Sequence, residues 1–121
     1  MERVLVSELL YAQGHKKLNE NYVKCISKNY RVTLLNDGSY FANDLEVDKI
    51  INVSPIRAKR IEKLKTFCNI QILKNIAKIA KREGIKTVIL LSFHTESFAR
   101  VQKAFYGLNV IVVHHYEIDR M

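Results

Sequence analysis

The run Thr87 to Phe93, Thr-Val-Ile-Leu-Leu-Ser-Phe, is continuously apolar up to Ser92 rather than alternating with polar residues. A strand of that kind has to be covered on both faces, which is what a parallel sheet flanked by helices provides. Asn109 to His114 repeats the pattern with Val-Ile-Val-Val before the histidine, and Val4 to Leu10 is a third β-prone run that begins almost at the N-terminus. Tyr30 to Leu35 predicts another strand and Lys49 to Val53 a short one, whereas Tyr40 to Asp48 leaves helix and strand both open.

Helical periods lie between these runs. From Lys16 to Lys28 the apolar positions Leu18, Tyr22, Cys25 and Ile26 recur at i, i+4, i+7 and i+8, which predicts one stripe facing a core and a stop at Asn29. Asn36 to Ser39 reads as a turn. Ser54 can cap a helix whose first residue is Pro55, where a missing N–H costs nothing. That helix should run to Glu83, with a break near Thr66 to Asn69, and end at Gly84. Its apolar face is Ile72, Leu73, Ile76, Ala77, Ile79 and Ala80, opposed by Lys74, Lys78 and Lys81. Thr95 can cap a last helix that closes at Gly107. Strands alternating with helices predict right-handed crossovers onto a parallel sheet, hence a three-layer α/β domain with strand order 3-2-1-4-5.

A chain of 121 residues suits one such domain, residues 1–121, with ordinary globular proportions of 48% hydrophobic and 26% charged residues. No apolar run approaches the roughly 20 residues that cross a bilayer, and the first residues lack a cleavable-signal layout, so a cytoplasmic protein is expected. Cys25 and Cys68 have neither disulfide nor zinc spacing and read as reduced core residues. The formal charge of +8 points to an acidic partner such as nucleic acid, an anionic lipid or a phosphorylated substrate, without choosing among them.

In a sheet of this order, ligands collect outside the carboxyl ends of the strands where the order reverses, between the first and fourth strands. The candidates delivered there are Ser7 and Glu8 after the first strand, Gly14 and His15 before the first helix, and Ser92, His94 and Thr95 after the fourth. His114, His115 and Glu117 follow the fifth. Any one histidine reads equally well as a structural residue, but as a group they mark a rim. A metal site is not expected, because His114 and His115 are adjacent and alternate across a strand. Gly14 and His15 lead into a helix N-terminus that favours an anion such as a diphosphate, or form a plain turn. Neither a Gly-x-Gly-x-x-Gly nor a Walker pattern is present, nor a Gly-x-Ser-x-Gly around Ser7 or Ser92. Arg57, Lys59, Arg60 and Lys63 interleave with Ile61, Leu64 and Phe67, as in a helix that lies on an anionic membrane or packs on a sheet; no nucleic-acid motif accompanies them.

These features together resemble the N-terminal, acceptor-side domain of bacterial GT-B glycosyltransferases, a Rossmann-like fold. The resemblance rests on the Val4-Leu-Val-Ser7 strand, the Gly14-His15 loop, Tyr30-Arg-Val-Thr-Leu-Leu35, Val88-Ile-Leu-Leu-Ser-Phe-His94 and Val110-Ile-Val-Val-His-His115. It implies sugar transfer from a nucleotide-sugar donor, bound as substrate with no tight cofactor, to a polysaccharide or glycolipid acceptor. By the same resemblance, Gly14 and His15 contact the donor, and His114 or His115 is the catalytic or acceptor-side candidate. Ser7, Ser92, His94 and Glu117 then line the acceptor cleft. Gln13 stands where many relatives carry a second glycine. The family holds most of the donor on a second Rossmann-like domain, so the implied partner is that domain, in this or another chain, and the present polypeptide alone is expected to be inactive. Peripheral contact with the inner face of the plasma membrane is a further expectation. The alternative is a non-catalytic flavodoxin-like or receiver-like domain binding an acidic protein or lipid.

Overall fold

The structure is a computed structural model that describes residues 1–8, 16–37, 40–42, 44–53, 65–91 and 98–113. Five strands and three helices alternate as β1 (Arg3–Glu8), α1 (Lys16–Ser27), β2 (Arg31–Asp37), β3 (Lys49–Val53), α2 (Lys65–Arg82), β4 (Thr87–Leu91), α3 (Phe98–Ala104) and β5 (Asn109–Val112). All pairings are parallel, and the strands stand in the order β3-β2-β1-β4-β5. The expected α/β fold with a Rossmann-like sheet is therefore present.

The register decides which side chains share a face. Val4, Val6 and Glu8 pair with Val32 and Leu34 on one side and with Ile89 and Leu91 on the other, so they form one face, with Asn36 continuing it along β2. Helix α1 covers this face, reaching Glu8 through Asn19. The opposite face carries Leu5, Ser7, Thr33, Leu35, Val88 and Leu90. Arg3 and Lys49, which share that face, both reach Glu83 just beyond the end of α2. Helices α2 and α3 pack on each other there. With β1 and β4 buried from Val4 to Glu8 and from Thr87 to Leu91, the apolar runs are covered on both sides, each large side chain contributing about 1.5–3 kcal/mol.

Helix α2 ends as its glycine predicts. Gly84 has φ 71°, its N–H donates to Lys81 O at 3.2 Å, and the Ile85 N–H donates to Ala80 O at 2.9 Å. This pair of bonds satisfies two terminal carbonyls, and the buried Ile85 closes against the buried Ala80.

Several sequence expectations need correction. On α1 the core-facing stripe is rotated by one residue. Asn19 and Val23 are buried, Tyr22 and Ile26 half-buried, while Leu18 is 44% exposed and Cys25 lies in solvent. A polar residue displaces leucine from the core side because the sheet face beneath it carries a carboxylate that needs a donor. Strand β2 continues through Asn36 and Asp37, where a turn is expected, since both pair with β3. Helix α2 runs unbroken through Thr66 to Asn69. Strand β5 is an edge strand, so Ile111 is 53% exposed rather than buried.

Candidate functional site

Strands β1 and β4 are neighbours, yet the chain leaves β1 toward β2 and leaves β4 toward β5. Their carboxyl ends, Glu8 and Leu91, are paired in register at this divergence. It is the point where open α/β sheets leave a crevice. In sequence, segments 9–15 and 92–97 follow these two strand ends, and 114–121 comes after β5. Gly14, His15, Ser92, His94, Thr95, His114, His115 and Glu117 lie in those segments, outside the described residues, as do Arg57, Lys59, Arg60 and Lys63 in 54–64.

Ser7 and Glu8 are described and lie where expected, at the carboxyl end of β1. Both are fully buried. The Ser7 hydroxyl donates to its neighbour's carbonyl, Glu8 O, at 3.2 Å, a bond local to β1. Glu8 is different. Its Oε2 accepts a hydrogen bond from Asn19 Nδ2, and the same Asn19 amide donates to Tyr40 Oη at 3.0 Å. Asn19 is itself fully buried and Tyr40 nearly so. One amide thus ties β1, α1 and the segment after β2 into a single polar cluster just beneath the rim. A buried carboxylate without such donors would be strongly destabilising, which explains why the helix turns an asparagine inward.

The neighbouring corner is fixed in the same manner. Asn36 Nδ2 donates to Phe41 O at 3.2 Å, and the Phe41 N–H donates back to Asn36 Oδ1 at 3.0 Å. The Ala42 N–H donates to Glu20 Oε2 at 3.0 Å. Tyr40 and Phe41 meet edge to face, with ring centroids 4.9 Å apart, and cap the end of the sheet. Burial raises the Tyr40 phenol above its ordinary pKa, partly offset by the Asn19 hydrogen bond, with the carboxylates of Glu8 and Glu20 adding to the rise. Tyr40 is thus held as a neutral phenol.

Sequence reasoning named Ser7 and Glu8 but missed Asn19, Asn36 and Tyr40. The available signal was the spacing of Asn19 with Val23 and Ile26, which is as helical as that of Leu18 with Tyr22 and Cys25. Two grooves lie on the flanks. One of about 790 Å³ is lined by Glu20, Lys24 and Lys28 on one side and by Ala42, Asp44 and Glu46 on the other. The other, about 360 Å³, is apolar and lies between α3 and β5 at Val101, Phe105 and Val112. Among the described residues no group of three or more His, Cys, Asp or Glu side chains is arranged to hold a metal.

No protein-family model matches the chain, and no curated protein matches it in sequence.

Proposed function

We propose that this chain is the acceptor-side domain of a GT-B glycosyltransferase, forming one wall of a cleft in which a sugar passes from a nucleotide-sugar donor to a polysaccharide or glycolipid hydroxyl. The observation that supports this most is the divergence of β1 and β4 above a buried Glu8–Asn19–Tyr40 cluster. The cluster lies at the strand ends from which the chain continues to Gly14 and His15 and to Ser92 and His94. Loops mounted on a rigid scaffold are where binding groups are usually held. In this reading Gly14 and His15 approach the donor diphosphate, while His114 or His115 meets the acceptor hydroxyl as a polar or basic group. Most donor contacts come from a second Rossmann-like domain. Arg57, Lys59, Arg60 and Lys63 attract the anionic inner face of the plasma membrane, where a lipid-linked acceptor resides.

Strand order counts against the alternative. A flavodoxin-like sheet runs 2-1-3-4-5, with β3 beside β1, whereas here β3 stands outside β2.

The test is a binding assay on an array of oligosaccharides and polyprenyl-linked glycans. We expect saturable binding to at least one acceptor class, lost in His94→Ala and in His114→Ala/His115→Ala while far-UV circular dichroism is unchanged. A protein that binds no glycan, or one that is purified yellow with flavin, contradicts the proposal.

A further inference from the structure

The stretch from Ala104 to Tyr116 is the longest in the chain without an Asp, Glu, Lys or Arg residue. Its described part holds the end of α3 and all of β5, where Tyr106 is 84% and Ile111 53% exposed. Strand β5 is an edge of the sheet. The Asn109 N–H donates to Lys86 O at 2.8 Å and the Val113 N–H to Leu90 O at 2.9 Å, so the odd-numbered residues turn their backbone groups toward β4. In a parallel ladder the alternate residues, Val110 and Val112, turn theirs outward.

The side chains of β5 divide between the two faces. Ile111 pairs with Ile89 on the face that carries Val6, while Val110 and Val112 lie on the other face and line the apolar groove with Val101 and Phe105. The two edges of the sheet differ in chemistry. Strand β3 begins with the exposed Lys49, whose ammonium is held by Glu83, and a lysine on an edge discourages the addition of a further strand. Strand β5 has no charged residue at all.

We infer that β5 is a docking edge for a second copy of this chain, whose own β5 adds antiparallel to it in a two-fold dimer. The edge calls for an uncharged, extended strand with apolar side chains at alternate positions, and β5 is itself such a strand, so one contact satisfies both open edges. Charge selects the same partner. Two copies of formal charge +8 repel over most of their surface and meet with least repulsion along the uncharged stretch, whereas an acidic partner is drawn to the basic residues elsewhere. With the axis through Ile111, Val110 faces Val112 of the second copy in a hydrogen-bonded pair, and Val112 faces its Val110 in the same way. The two Ile111 side chains then meet at the axis in a non-hydrogen-bonded pair, where side chains come closest. So short a contact belongs with small interfaces, below about 1,200 Å², and the dimer dissociates on dilution. Antiparallel pairing turns the two candidate rims to opposite ends of the joined sheet and leaves both open. The dimer itself does not depend on sugar transfer.

The experiment is sedimentation velocity of the full chain from about 1 µM to about 1 mM, with amide hydrogen exchange at both ends of the range. The mass should rise from one copy toward two, and the Val110 and Val112 amides should exchange about tenfold more slowly at the high concentration. Ile111→Lys sets like charges against each other at the axis and should weaken association by about tenfold or more, whereas Ile111→Val should keep it. Leu18→Lys, on the exposed side of α1, should also keep it. A monomer at every concentration overturns the inference, as does undiminished association of Ile111→Lys. Association lost in Leu18→Lys places the contact on α1 and overturns it too. So do Val110 and Val112 amides that are already slow in the dilute monomer, since the edge is then covered within the chain.

Discussion

Replacing Asn19 with leucine puts a better helix former with the same number of side-chain heavy atoms on the buried side of α1 and removes one amide. That amide donates both to Glu8 Oε2 and to Tyr40 Oη. A buried hydrogen bond to a carboxylate contributes about 1.5–3 kcal/mol and a neutral one about 1 kcal/mol, so Asn19→Leu should cost about 3 kcal/mol. For a domain of this size the melting temperature should fall by about 10 °C. Urea denaturation of the wild type, Asn19→Leu, Glu8→Leu and the double variant closes a thermodynamic cycle. The double variant should be more stable than the sum of the single changes implies, by about 2 kcal/mol, because a matched apolar pair leaves no carboxylate facing leucine. Asn19→Leu within about 0.5 kcal/mol of wild type, or strictly additive changes, would refute the claim that this amide holds the floor of the rim.

Three further outcomes follow from the same structure. Because burial first of all raises the Tyr40 pKa, the folded protein holds that proton more tightly than the unfolded chain, so Tyr40 supports stability below the unfolded value of about 10 and the support is lost as pH rises through the folded value. The stability difference between wild type and Tyr40→Phe in urea should therefore shrink above about pH 10; a constant difference would contradict the assignment. Glu83 has a pKa lowered chiefly by its hydrogen bond from Lys49, so its contribution is present above the unfolded carboxyl value and lost as pH falls through the folded one. In Lys49→Met its NMR titration midpoint should rise, and an unmoved midpoint removes Lys49 as the cause. Thr33 Oγ1 is buried with no hydrogen-bond partner among the described residues, so the isosteric Thr33→Val should gain about 1 kcal/mol in denaturant titrations, and a loss of stability would show that the hydroxyl is satisfied.

The sheet was legible because β4 is apolar from Val88 to Leu91 and β1 from Val4 to Val6, while Pro55 follows β3 closely. Right-handed crossovers then left few orders for five parallel strands. Gly84 marked the end of α2 for a reason that is local to the backbone. The site was less legible. Which side of α1 faces inward depends on Glu8, 11 positions away, and helical period alone cannot choose between Leu18 and Asn19 when both start an apolar stripe. Asn36 and Asp37 look like turn residues, but β3 extends the ladder to them and Asn36 turns its side chain to fix Phe41. Cys25 reads as core from its residue type and its place in the Leu18 stripe, and the one-residue rotation of α1 places it in solvent. Tyr40 gave no signal, since its role comes from a fold-back after β2 that no period encodes.

The most direct test of a glycan-binding rim is backbone amide NMR of the chain titrated with the acceptor class that binds it. Shifts should concentrate at Ser7, Glu8, Asn36 and Leu91, at the carboxyl ends of β1, β2 and β4, while Lys86 and Gly107 at the opposite edge of the sheet stay fixed. Shifts confined to Lys86, Gly107 and their neighbours, or no shift at saturating glycan, would contradict it.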